Sequence, residues 1–143
     1  MIIEGSHYQV HYDEVAPDAV ESKDGWNDID IRFLIGEAVT GTNDMTLWRA
    51  HFPPNGRHAR HTHDVGEAFF VISGRGAAGT EDEEYEVTAG SALYVPPNTV
   101  HWFRNLDDNE PVEICGVYAP AGSLKGSGYS YVGEVTDEHR KVR

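Results

Sequence analysis

The chain has 143 residues, the size of one compact domain, and a fold of this length buries about 68–70% of its unfolded surface, enough for a core without disulfides or a structural metal. Eleven Lys and Arg against 24 Asp and Glu give a formal charge of −13, the wrong sign for gripping a nucleic-acid backbone or an anionic membrane surface. With 39% apolar and 10% aromatic residues, the chain is expected to fold rather than persist as a disordered acidic segment.

Residues 1–6 carry no basic region, apolar core or small-residue cleavage site, and the longest strongly apolar run, 68–72, falls far short of the roughly 18 residues of a membrane span. A cytoplasmic location is the expectation. Residues 1–25 read as an N-terminal extension packed on the following domain or on a partner, with a short helical turn over 15–20. Strands are expected over 30–35, 45–52, 67–73, 76–80, 84–88, 92–95, 100–105 and 112–119, where Val, Ile, Phe, Tyr and Trp cluster between Gly- and Pro-bearing turns. Gly74 and Gly76 offer positive φ for a reversal, and 81–84 reads as a solvated hairpin tip. Pro53-Pro54-Asn55-Gly56 and Pro96-Pro97-Asn98 close two further strands. Many short strands at such spacing imply a sandwich or small barrel, because closure removes exposed strand edges. The domain spans 26–120, and 121–143 forms a C-terminal extension whose polar end, 132–143, frays or packs on a partner. Cys115, the lone cysteine, sits in an apolar run and reads as a buried small hydrophobe.

Of eight histidines, four fall within thirteen residues: His51, His58, His61 and His63. His61 and His63 are two apart, so in extended chain their imidazoles share a side, and Glu67 has the same parity if the chain continues extended. Two imidazoles and a carboxylate form a partial shell for a divalent first-row metal. His101, which opens a later strand after a Pro-Pro-Asn turn, is the natural fourth donor. His58 reads either as a solvated loop residue or as a residue at the barrel mouth. His51 alternates with Leu47 and Arg49 against Trp48, Ala50 and Phe52, and only one of these sets looks into the barrel. Phe69, Val71 and Phe103 have the parity of the donors and are expected to line the same interior, whereas Tyr94, Trp102, Tyr129 and Tyr131 read as packing. Arg49, Arg60, Arg75 and Arg104 are too scattered to form a carboxylate clamp.

Residues 61–74, as His61-x-His63-x3-Glu67-x6-Gly74, and 90–105, as Gly90-x5-Pro96-x-Asn98-x2-His101-x3-Asn105, resemble the two motifs of the cupin superfamily. Asn98 stands where the family pattern has Gly, a departure that Asn tolerates through its ease in the left-handed region. Gly56 also lies one residue closer to His61 than the usual spacing. The resemblance implies an all-β, single-domain double-stranded β-helix, a jelly-roll β-barrel. It implies that His61, His63, Glu67 and His101 bind one divalent transition metal, which could be Fe, Mn, Ni, Zn or Cu. It also implies a homodimer.

Such a donor set leaves coordination positions open, so a small oxygen-rich molecule is the expected partner. The expected function is a mononuclear metal-dependent enzyme of dioxygenase type. Non-redox isomerase or lyase chemistry, or non-catalytic binding of a small carboxylate or sugar, is the alternative. Glu67 and His58 are the candidates for proton transfer.

Overall fold

Along Thr46–Phe52 and Val112–Ala119 every second side chain is buried, the signature of strands that present one face to a core and the other outward. The computed structural model describes residues 8–142; Arg143 and 1–7, with the 1–6 stretch read above, lie outside the described residues. The strands are β1 (Trp26–Asn27), β2 (Asp30–Ile35), β3 (Thr46–Phe52), β4 (Arg57–Thr62), β5 (Gly66–Ser73), β6 (Arg75–Thr80), β7 (Glu83–Thr88), β8 (Ala92–Val95), β9 (His101–Asn105), β10 (Val112–Ala119) and β11 (Ser130–Gly133). All eight expected strands are present, each bound within one residue of the expectation. The architecture is the expected all-β jelly-roll barrel.

Two antiparallel sheets face each other. One runs β1-β4-β9-β6-β7, with β11 also paired to β4, and the other β2-β3-β10-β5-β8. Gly74, at φ 89°, does not close a hairpin; it turns the chain from β5 in one sheet to β6 in the other. The face of β3 that looks inward is Trp48, Ala50 and Phe52, which join Phe69, Val71, Phe103 and Ile114 in one core. His51 therefore points outward, where its Nδ1 lies 2.5 Å from Glu113 Oε1. Cys115 also lies on the outer face and is half-buried, a correction to its reading as a core residue. Burial raises the pKa of its thiol.

The 15–20 stretch forms no helical turn; single 3-10 turns lie on either side, at Tyr12–Glu14 and Ser22–Asp24. Pro17 and the β-branched Val15 and Val20 disfavour a turn there, and the Asp18 amide instead donates to Ile31 O on β2. No helix among the described residues is long and apolar enough to cross a membrane.

The outer face of the first sheet is covered by the chain's own end. Residues 134–142 fold back over it, burying Val135 and setting His139 against the Trp102 ring. Glu84 is consequently not part of a solvated tip. Its side chain is fully excluded from solvent, takes two hydrogen bonds from Arg104 and one from Trp102 Nε1, and accepts from the Val142 amide. Arg104 thus grips a carboxylate of the chain itself, a structural contact.

Gly79 makes this layer possible. A Cβ there would lie 1.9 Å from Trp102 Cε2, and the indole cannot retreat while its N–H is held by Glu84. We expect Gly79→Ala to cost about 1–3 kcal/mol through overpacking, read as a lowered thermal midpoint.

Candidate metal centre

His61 lies on β4 and His63 just past its end; β4 is absent from the sequence expectations because its inward groups are largely imidazoles rather than aliphatic side chains. His61 pairs directly with His101 of β9, which places these two rings 4.0 Å apart. Glu67 arrives differently from the expectation. The chain crosses between sheets after His63, so Glu67, on β5, reaches the donors from the opposite sheet rather than along one continuous strand. Four donor atoms, one each from His61, His63, Glu67 and His101, lie within 4.8 Å of one another, and all four residues are buried.

Each imidazole is oriented from behind. His61 Nδ1 lies 2.6 Å from Ala59 O and His101 Nδ1 2.9 Å from Thr99 O; a carbonyl only accepts, so both Nδ1 atoms carry the proton. Ser127 Oγ donates to Leu124 O at 2.5 Å, which leaves it to accept from His63 Nδ1 at 2.8 Å. In the neutral rings, all three Nε2 lone pairs face the cluster, the tautomer a metal requires.

Burial, reinforced by the neighbouring His58, His101 and His63, pushes the His61 pKa well below its ordinary value. Burial, partly opposed by Glu67, brings His63 down to about 4. For His101 burial opposes charge, but Glu67 Oε1, 2.7 Å from Nε2, outweighs it and raises the pKa. Buried His63 Nε2 has no hydrogen-bond partner, and its separation from Glu67 Oε1 is 3.5 Å. A divalent cation among these donors would satisfy His63 and replace the proton that His101 and Glu67 otherwise share. The residues fit a metal ion.

Asn98 adopts φ 61°, the left-handed conformation anticipated for it, and its amide donates to His63 O. This bond ties the second motif to the first.

His58 is neither solvated nor in a loop. It is buried on β4, stacked between Trp26 and His61 with ring centroids 3.8 Å from each. Its Nε2 lies 2.9 Å from Tyr129 Oη, and that hydroxyl donates to Asp24 O. His58 Nε2 must therefore be the donor to Tyr129, leaving Nδ1 bare. Burial and the neighbouring His101 and His63 push its pKa well below the usual value. Trp26 and His58, against which Tyr129 stacks, line a cavity of about 30 Å³ whose walls also include Trp48, Phe69, Phe103 and Tyr118 beside Glu67 and His101.

Four residues around the site were not singled out as functional in the sequence: Ser127, Tyr129, Trp26 and Tyr118. Tyr118 has the inward parity of β10, a signal that was available; its ring lies 4.6 Å from that of His63. Ser127 and Tyr129 come from the Gly/Ser-rich C-terminal stretch, which carries no periodicity to place it. We expect Ser127→Ala to weaken metal binding by about 10–100-fold while the barrel stays folded, measured by competition with a chromogenic chelator.

The sequence pattern of the family described as "Cupin domain" matches residues 48–118. An uncharacterized protein of Methanocaldococcus jannaschii is 30% identical over 114 residues, covering 78% of this chain and 86% of that protein. Dimethylsulfoniopropionate lyase DddW of Ruegeria pomeroyi is 31% identical over 70 residues, covering 49% of this chain and 46% of that enzyme. Among solved structures, the polyketide cyclase RemF from Streptomyces resistomycificus superposes with a TM-score of 0.72 at 20% identity, covering 93% of this chain and 90% of that one.

Proposed function

The chain belongs to the cupin family, and on that premise we propose that it is a mononuclear divalent-metal-dependent enzyme that transfers a proton on a compact oxygen-bearing molecule, chemistry of the isomerase or lyase kind. The observation that carries this reading is the convergence of three preset Nε2 atoms and one carboxylate on a buried, largely apolar cavity. A divalent ion held there supplies Lewis acidity, polarising a bound oxygen and acidifying the neighbouring C–H. Iron, manganese, nickel, zinc and copper all suit the donor types.

His61, His63, Glu67 and His101 hold the ion. His58 is the candidate proton acceptor, since its Nε2 proton is engaged by Tyr129 and its Nδ1 is free to receive one. Glu67 is the second candidate, exchanging between ligand and base. Trp26 and His58, both buried, wall the cavity beside the cluster. That one similar protein is named as a lyase favours non-oxidative chemistry as the reading to test first. The competing dioxygenase reading is favoured by the apolar walls Phe52, Phe69 and Phe103, since an apolar gas enters such a cavity readily.

Elemental analysis of protein purified without a metal-affinity step tests the premise, and about one ion per chain is expected. Incubation of that protein in D2O with hydroxy acids, diketones and enediols should then incorporate deuterium beside a carbonyl with no oxygen uptake. One O2 consumed per turnover would establish the dioxygenase instead. Intact, unlabelled ligand after prolonged incubation would make the protein a binder, and absence of metal after reconstitution would overturn the site.

We further propose a homodimer packed through the outer face of the second sheet, where Phe70, Ile72 and Tyr94 are 50%, 40% and 66% exposed beside Leu47, Cys115 and Val117. Phe70→Glu should shift a dimer to monomer in light scattering; an unchanged dimer would place the interface elsewhere.

A further inference from the structure

Four buried polar side-chain atoms among the described residues lack a hydrogen-bond partner: Trp48 Nε1, His63 Nε2, and the Nε atoms of Arg60 and Arg140. A metal accounts for His63, and the two guanidinium groups retain other N–H donors. Trp48 has only one. Its residue is 3% exposed, so water does not reach the indole from outside, and an unmet buried N–H is costly. The other layer of the same barrel shows the contrast: the Trp102 indole donates to Glu84 at 2.9 Å.

Trp48 lines the same cavity as Glu67 and His101. The ring is accommodated because its β10 neighbour is Gly116, where a Cβ would lie 2.2 Å from Trp48 Cζ2. The indole centroid lies 5.9 Å from that of Tyr118, and the Tyr118 ring lies 4.6 Å from that of His63. The Trp48 ring is thus one aromatic ring removed from that of His63. No Lys or Arg lines the cavity. A second carboxylate at the indole would be stripped of water without a cation to meet it, whereas a ketone, ester or hydroxyl oxygen would not incur that cost.

We propose that Trp48 is the second anchor of the bound molecule, donating its N–H to a neutral oxygen while another oxygen of the same molecule faces the His61, His63, Glu67 and His101 cluster. The substrate class is therefore a short chain with one anionic, metal-seeking oxygen and one neutral acceptor, an oxo or hydroxy acid rather than a dicarboxylate. Trp48 acts in positioning and specificity, and the inference rests on the metal-dependent reading of the site.

The test uses the zinc-loaded protein, a diamagnetic form, with acetoacetate and levulinate set against butanoate and pentanoate, which lack the ketone, and against succinate. At least one oxo acid should bind about fivefold or more tightly than its matching carboxylate and more tightly than succinate, one hydrogen bond's worth. Trp48→Phe should bind zinc at unchanged stoichiometry and lose that preference. In the wild-type protein, which needs no variant to fold, the Trp48 indole proton resonance, identified by its nuclear Overhauser contact to Tyr118, should move downfield while that of Trp102 stays. Equal affinities within each pair, a preference retained by Trp48→Phe, or a Trp48 resonance unmoved by every probe would overturn the inference and leave the metal site standing. Failure of zinc to bind would overturn the metal reading and this inference with it.

Discussion

Replacing His101 with alanine is expected to lower metal affinity by on the order of 10²–10³-fold. Four-donor protein sites bind zinc with about 10–16 kcal/mol, so one donor in four corresponds to roughly 2.5–4 kcal/mol, and each 1.4 kcal/mol is tenfold. His101 is also the partner that sits 2.7 Å from Glu67 Oε1, so its removal loosens a second donor at the same time. The barrel itself should survive, because the core of Trp48, Phe52, Phe69, Val71, Phe103 and Ile114 does not pass through the donors. Dialysis against a chelator followed by elemental analysis reads the first effect, and circular dichroism the second. Glu67→Ala should behave alike. Full metal stoichiometry in either variant would dismiss the four-residue assignment.

The largest expected loss of stability lies on the other face of the sheet. Glu84→Ala removes the acceptor of Arg104, Trp102 Nε1 and the Val142 amide together and frees residues 134–142 to peel away. Stranding one partner of a fully buried pair costs about 3–5 kcal/mol; the Arg104 side chain retains 16% exposure, so about 2–4 kcal/mol is expected, a fall of roughly 6–15 °C in thermal midpoint. The pH dependence has a definite sign. Burial resists the charge of Glu84, but Arg104, the Val142 amide and Trp102 outweigh it and hold the carboxyl at about 2, against an ordinary value of 4.5. A pKa depressed in the folded state contributes stability that is present above the unfolded value and lost as pH falls from about 4.5 toward 2. Urea unfolding of wild type and Glu84→Gln across that window should show the difference between them narrowing toward low pH. A constant difference would mean that Glu84 is not ionised in the fold.

Chemistry was more legible than topology in this chain. The eight strands with alternating or continuous apolar character could be placed, because burial of one sheet face imposes a period of two on the residues themselves. The four residues of the His-His-Glu-His cluster could be placed as well, since their identities and spacings survive whatever path the chain takes between them. β1, β4 and β11 escaped notice for a physical reason: the first has only two residues, the second buries imidazoles and the third exposes most of its side chains, so none carries the apolar signal of a strand. Glu84 was misread because an acidic residue buried by a distant segment looks, in sequence, like any solvated acid. The same holds for His58, whose neighbours Trp26 and Tyr129 lie 32 and 71 positions away.

By itself the sequence determined an acidic all-β domain, its main strands, its left-handed Asn98 turn and a His-His-Glu-His donor set. Those depend on residue type, local backbone preference and short spacing, all of which are written along the chain. Only the tertiary structure decided that Glu67 approaches from the opposite sheet, that Ser127 fixes the His63 tautomer, that Tyr129 holds the His58 ring and that Trp48 leaves a donor unpaired. Each of these follows from which segments two packed sheets bring together, and no pattern local to the chain specifies that.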